Sequence, residues 1–87
     1  MPAPKIVMYV TSWCPYCARA RALLEEKGVT FEEIDIDAAP QARADMLKKG
    51  GGGSVPQIFI GATHVGGCDD LYALESAGRL DSMLTGA

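Results

Sequence analysis

From Lys5 to Val10 the chain reads Lys-Ile-Val-Met-Tyr-Val, almost without a polar side chain. A continuous run of β-branched and aromatic residues predicts a strand buried on both faces, not one that alternates with solvent. After Thr11-Ser12-Trp13 the period changes. Ala20, Leu23, Leu24 and Lys27 recur at helical spacing, which predicts a helix over 15–27 with a polar last turn, Glu25-Glu26-Lys27, and Gly28 as its C-terminal cap. Val29 to Asp35 then alternates and predicts a second strand. Strand, helix and strand in about thirty residues form a βαβ unit with parallel strands.

The second half continues the alternation of elements. Asp37 to Lys49 predicts a helix with Pro40 in its first turn and Ala42, Met46 and Leu47 as its apolar face. The following Gly50-Gly51-Gly52-Gly53-Ser54 cannot continue that helix and is costly to order, which predicts a mobile loop. Val55 to Ile60 predicts a third strand, Gly61-Ala62-Thr63 a turn, and His64-Val65 a short fourth strand ended by Gly66-Gly67. A third helix opens at Cys68-Asp69-Asp70 and ends near Gly78. Asp69 and Asp70 suit its N-cap and first turn, where negative charge is stabilised. Arg79 to Leu84 predicts a last helical turn. With no repeat and no composition break, residues 1–87 read as one domain.

Composition removes several classes of function. The net charge is -3 and the longest basic cluster is Lys48-Lys49, so nucleic-acid binding has no electrostatic footprint. The apolar run after Met1-Pro2-Ala3-Pro4 is too short for a signal-peptide core or a membrane span, which points to a cytoplasmic protein. Three cysteines, an odd number, do not suit a secreted disulfide framework.

The chemistry concentrates at Cys14-Pro15-Tyr16-Cys17, between the first strand and the first helix. Pro15 suits the first helical position, where its missing N–H costs nothing. Cys14 then falls at or near the N-cap, and Cys17 one turn further on the same face, so the two sulfurs can meet. The free N–H groups and positive end of the helix dipole stabilise a thiolate at Cys14, the reactive form of the side chain. Cys14 is therefore the candidate nucleophile and Cys17 the candidate resolving thiol. Function at the carboxyl end of the first strand also suits the βαβ unit. A zinc site would need two more suitably spaced ligands, and only Cys68 and His64 remain, so no metal is expected. His64 reads as a solvated turn residue and not as a base.

Three features in order, the CPYC motif, the Val55-Pro56 pair and the Gly66-Gly67-Cys68-Asp69-Asp70 turn, resemble the small bacterial dithiol glutaredoxins. The resemblance runs from Ile6 to about Leu84. It implies an α/β thioredoxin fold, in which three or more helices flank a mixed four-stranded sheet in the order βαβ-α-ββα. It also implies a cis Val55–Pro56 bond, which the residues themselves do not require, since trans is the commoner state of any X-Pro bond. The implied activity is glutathione-dependent reduction of glutathione mixed disulfides and protein disulfides, with Cys14 and Cys17 catalytic. Glutathione would be the co-substrate, with no tightly bound cofactor. The implied glutathione contacts are Thr11, Tyr16, Ser54, Val55, Pro56, Gly67, Cys68, Asp69 and Asp70. The implied partners are glutathione and glutathionylated or disulfide-bonded proteins, with ribonucleotide reductase among those the family allows, and the protein would act as a monomer.

A tripeptide with two carboxylates and an amine finds matching groups here. The helix start at Cys68-Asp69-Asp70 suits a carboxylate, an Asp side chain suits the amine, and the backbone of Val55 suits pairing with an extended peptide. The sequence departs from the family in three places. Thr11 stands where relatives often carry Lys, glycine fills the loop before Val55, and Trp13 precedes Cys14. The first two remove cations from the groove, so Cys14 would depend mainly on the helix terminus for its activation. Cys68 reads as a small apolar residue at a helix start rather than as a second site of glutathionylation. Two alternatives stay open at this stage: a thioredoxin-like disulfide reductase, which Trp13 favours, and a glutathione-ligated iron–sulfur carrier, which Pro15 and Cys17 disfavour.

Overall fold

The strand β1 (Ile6–Val10) is buried along its whole length, as its uninterrupted apolar sequence requires. The structure is a computed structural model that describes residues 3–50 and 52–85. Along the chain follow α1 (Pro15–Glu26), β2 (Glu32–Asp35), α2 (Pro40–Lys48), β3 (Gln57–Ile60), β4 (Thr63–Gly66), α3 (Cys68–Ser76) and α4 (Leu80–Thr85). The four strands form one mixed sheet in the order β2-β1-β3-β4. β2 runs parallel to β1, and β3 and β4 are antiparallel to their neighbours. This is the four-stranded α/β architecture expected from the sequence, with four helices.

The period-2 geometry of β1 and β3 divides the core in two. Ile6, Met8 and Val10 share a face with Ile58 and Ile60 and pack against α1, α3 and α4 through Leu23, Leu24, Leu71 and Leu80. Val7, Tyr9 and Phe59 point to the other face, where Ala42 and Met46 of α2 cover them. Tyr9 and Phe59 meet edge to face, with ring centroids 5.8 Å apart.

Element boundaries differ from the sequence reading for local reasons. β2 begins at Glu32, not Val29, because Val29 and Phe31 pack against the helix-covered core instead of joining the ladder. α2 begins at Pro40, not Asp37. Proline disfavours a helical conformation at the residue before it, and Ala39 is extended (φ -133°, ψ 94°). The residues between form a turn in which Asp35 Oδ1 accepts the N–H groups of Asp37 and Ala38 at 2.8 and 3.2 Å. β3 begins at Gln57, after Val55 and Pro56, since Pro56 has no N–H for the ladder. The N-cap of α3 is Gly67, one residue before the predicted opening, and Asp69 and Asp70 occupy the first turn. Within the glycine run, Gly51 lies outside the described residues. So do Met1, Pro2, Gly86 and Ala87 at the ends of the predicted domain.

Candidate active site

Cys14 is the N-cap of α1, extended at φ -149° and ψ 99°, with Pro15 at the first helical position. Its sulfur accepts the N–H of Cys17 at 3.0 Å, and its carbonyl accepts the N–H of Ala18 at 3.1 Å. One side chain thus occupies the positive end of the helix and takes one of its orphan donors. The Cα atoms of Cys14 and Cys17 are 5.1 Å apart and the two sulfurs are joined as a disulfide. Cys17 is only 1% exposed, while Cys14 is half-buried and reachable. The depth difference expected for attacking and resolving thiols is therefore present.

Tyr16, between the two cysteines in sequence, lines an open cavity of about 340 Å³. Of the residues expected to form a glutathione groove, Tyr16, Ser54, Val55, Pro56, Gly67, Cys68, Asp69 and Asp70 all line it. Thr11 does not; its hydroxyl donates to the Trp13 carbonyl at 3.4 Å. The Val55–Pro56 bond is cis. Tyr16 is 55% exposed and Trp13 is 86% exposed.

The far wall is the start of α3. Its first helical hydrogen bond runs from Leu71 N–H to Gly67 C=O (3.1 Å), which leaves the N–H groups of Cys68, Asp69 and Asp70 outside the helical ladder. Asp70 Oδ2 accepts the N–H of Gly67 at 2.9 Å. Among the described residues no hydrogen bond or ion pair engages the Asp69 carboxylate. The approach to this wall requires Gly66, which has φ +115°; a Cβ there would stand 2.9 Å from Asp70 Cγ. Burial pushes the Cys68 thiol above its ordinary range. Asp69 adds to that shift and Arg19 opposes it. Cys68 is buried and stands outside the disulfide.

Three lining residues were not among the expected glutathione contacts: Gln57, His64 and Gly66. His64 is exposed and falls in the predicted fourth strand, so only its description as a turn residue is corrected. It lies within β4, stacked on Phe59 with centroids 4.7 Å apart, and its Nε2 is 2.7 Å from Gln57 Oε1. The signal was in the pattern: Gln57 and Phe59 share a face of β3, and a hairpin turning at Gly61-Ala62 sets His64 opposite Phe59.

A disulfide-forming Cys-Pro-Tyr-Cys helix start, whose Tyr16 lines one cavity with a cis proline and a second helix N-terminus, suits thiol–disulfide exchange. The glutaredoxin family model matches residues 6–65. The chain belongs to the glutaredoxin family. A glutaredoxin from Pseudomonas aeruginosa is 58% identical over 94% of this chain and 98% of its own length. The solution structure of glutaredoxin from Brucella melitensis superposes with a TM-score of 0.83 at 54% identity, covering 98% of this chain and 92% of that one. The crystal structure of a buckwheat glutaredoxin–glutathione complex superposes with a TM-score of 0.86 at 31% identity, covering 95% of this chain and 78% of that one. As a glutaredoxin, the chain is a thiol–disulfide oxidoreductase with a redox-active cysteine pair. Among the described residues, no helix is long and apolar enough to cross a membrane.

Proposed function

We propose that this single-domain glutaredoxin uses glutathione to reduce glutathione mixed disulfides and protein disulfides, acting through Cys14 in the cytoplasm as a monomer. The observation that carries the reading is the cavity that Tyr16 of the Cys14–Cys17 motif lines together with Val55, the cis proline and the α3 N-terminus. It offers backbone groups for an extended peptide and unbonded N–H groups for a carboxylate. The fold similarity to a glutaredoxin crystallised with glutathione supports the same ligand here.

In this reading the Cys14 thiolate attacks the glutathione sulfur of a mixed disulfide. A Cys14–glutathione disulfide forms, and the substrate leaves as a thiolate that takes a proton. A second glutathione thiolate then attacks the glutathione sulfur, releasing oxidised glutathione and the Cys14 thiolate. For a protein disulfide, Cys14 attacks first, and Cys17 displaces the substrate from Cys14, leaving the Cys14–Cys17 disulfide for two glutathiones to reduce. Trp13, exposed next to Cys14, supplies contact area for such protein substrates. Ribonucleotide reductase and glutathionylated proteins are the substrate classes proposed.

The test is turnover of a glutathione mixed disulfide by wild type and Cys17→Ser, supplied with glutathione and its reductase or with thioredoxin reductase. Glutathione-supported turnover that survives Cys17→Ser and is lost in Cys14→Ser is the expected result. Turnover only with thioredoxin reductase, lost in Cys17→Ser, would overturn the reading.

A further inference from the structure

Ser54 and Val55 line the cavity directly after Gly52 and Gly53, and the Val55 side chain packs against both halves of the core. Among the described residues, one hydrogen bond reaches this segment from the rest of the fold: Gln57 Nε2 donates to the Ser54 carbonyl at 3.0 Å. The Gln57 amide is buried (6% exposed), and Gly52 lies close above it, so that a Cβ on Gly52 would stand 3.7 Å from Nε2. Because Nε2 is spent as a donor, Oε1 is left to accept, and it does so from His64 Nε2 at 2.7 Å. The hydrogen must therefore sit on His64 Nε2. The ring is held in place by its stacking on Phe59, itself part of the core under α2.

The Ser54 carbonyl and the Val55 N–H belong to one trans peptide unit. Fixing the first fixes the direction of the second. We propose that His64 and Gln57 are positioning residues for glutathione: a Phe59–His64–Gln57–Ser54 chain sets the Ser54–Val55 peptide plane, and so the backbone donor offered to the ligand. The inference rests on the glutathione reading above. It assigns to a residue that lines the cavity without reaching the sulfurs a task in binding and none in the exchange chemistry.

The test compares wild type, His64→Phe and His64→Gln. Phenylalanine keeps the stack on Phe59 and removes the donor. Glutamine places an amide nitrogen where the ring Nε2 stands. The readouts are the ¹⁵N order parameter of the Val55 amide in the free protein, and KM for glutathione separately from kcat. In His64→Phe the order parameter should fall from about 0.85 toward about 0.6, the rigid and flexible limits of backbone. KM for glutathione should rise about three- to tenfold, the loss of one hydrogen bond's worth of preorganisation, with kcat within about twofold. His64→Gln should restore both. An unchanged Val55 order parameter in His64→Phe would overturn the brace whatever the activity. A lowered order parameter with unchanged KM would overturn its link to binding. Wild type that fails to turn over glutathione mixed disulfides would instead be a failure of the functional reading, and the order parameter in the same samples still decides the brace.

Discussion

The Asp70 carboxylate accepts the backbone N–H of Gly67 at 2.9 Å, so it is committed to holding the start of α3. Its neighbour Asp69 carries the unengaged charge on the cavity wall. The two acidic residues, which look equivalent in sequence, therefore differ: Asp70 holds the helix start, while the Asp69 carboxylate has no partner among the described residues. Asp70→Ala removes a first-turn partner of the cap. It should cost about 1 kcal/mol and lower Tm by about 4–8 °C in a domain of this size. Asp69→Asn should leave Tm within about 1 °C, since surface changes alter stability little, and should raise KM for glutathione. Thermal melts and steady-state kinetics on both variants check the division, and an Asp69 variant that melts early with normal KM would reverse it.

Thr11 donates to the Trp13 carbonyl and stays out of the cavity. No cation stands at that position to face a glutathione carboxylate. Thr11→Lys supplies one on a long flexible stem. An exposed ion pair is worth about 0.2–1 kcal/mol, so KM for glutathione should fall by about 1.5- to 5-fold. The gain should shrink as salt rises, because the pair is exposed to screening. A salt series of KM for wild type and Thr11→Lys measures this directly.

Gly66 lines the cavity and Gly53 precedes its Ser54, and the two should respond oppositely to alanine. Gly66 has φ +115° and faces the Asp70 carboxylate, whereas a Cβ on Gly53 meets nothing within 4 Å. Gly66→Ala should destabilise by about 1–3 kcal/mol through backbone strain and displacement of Asp70. Gly53→Ala should be neutral or stabilise by up to about 1 kcal/mol, by restricting the unfolded chain. Denaturant midpoints at constant m-value discriminate the two.

Stability should fall at alkaline pH. Burial raises the Cys68 thiol above its ordinary 9.0, so its neutral form is favoured in the folded state. Hydrogen bonds that Lys27 donates to the Glu75 and then the Asp81 carboxylate raise it above its ordinary 10.5. A group whose folded pKa lies above its unfolded one contributes fully below the unfolded value and loses that contribution as pH rises through the folded value. The decline should therefore begin near pH 9 with Cys68 and continue above pH 10.5 with Lys27. Cys68→Ala should remove the first part and Lys27→Met the second, read as Tm against pH.

Much of the molecule was legible in the chain because the signals were local. The continuous apolar run Lys5–Val10 could only be a strand covered on both faces, and β1 lies between β2 and β3 with a core on each side. Cys14, Pro15 and Cys17 declare a helix start through steric and spacing rules that act within one turn. The order of CPYC, Val55-Pro56 and the Gly-Gly-Cys-Asp-Asp turn identified the family that the comparisons bear out. What the sequence could not decide were relations across the fold. Which aspartate caps α3 depends on where Gly67 directs its N–H. His64 acquires a role only when β4 pairs with β3 and sets its ring on Phe59 and its Nε2 on Gln57. The bounds of β2 and β3 were set by what lay beside them, not by propensity. Local sterics and periodicity act over a few residues and are written in the chain; a hydrogen bond seven residues away across a hairpin exists only once the sheet has brought its partners together.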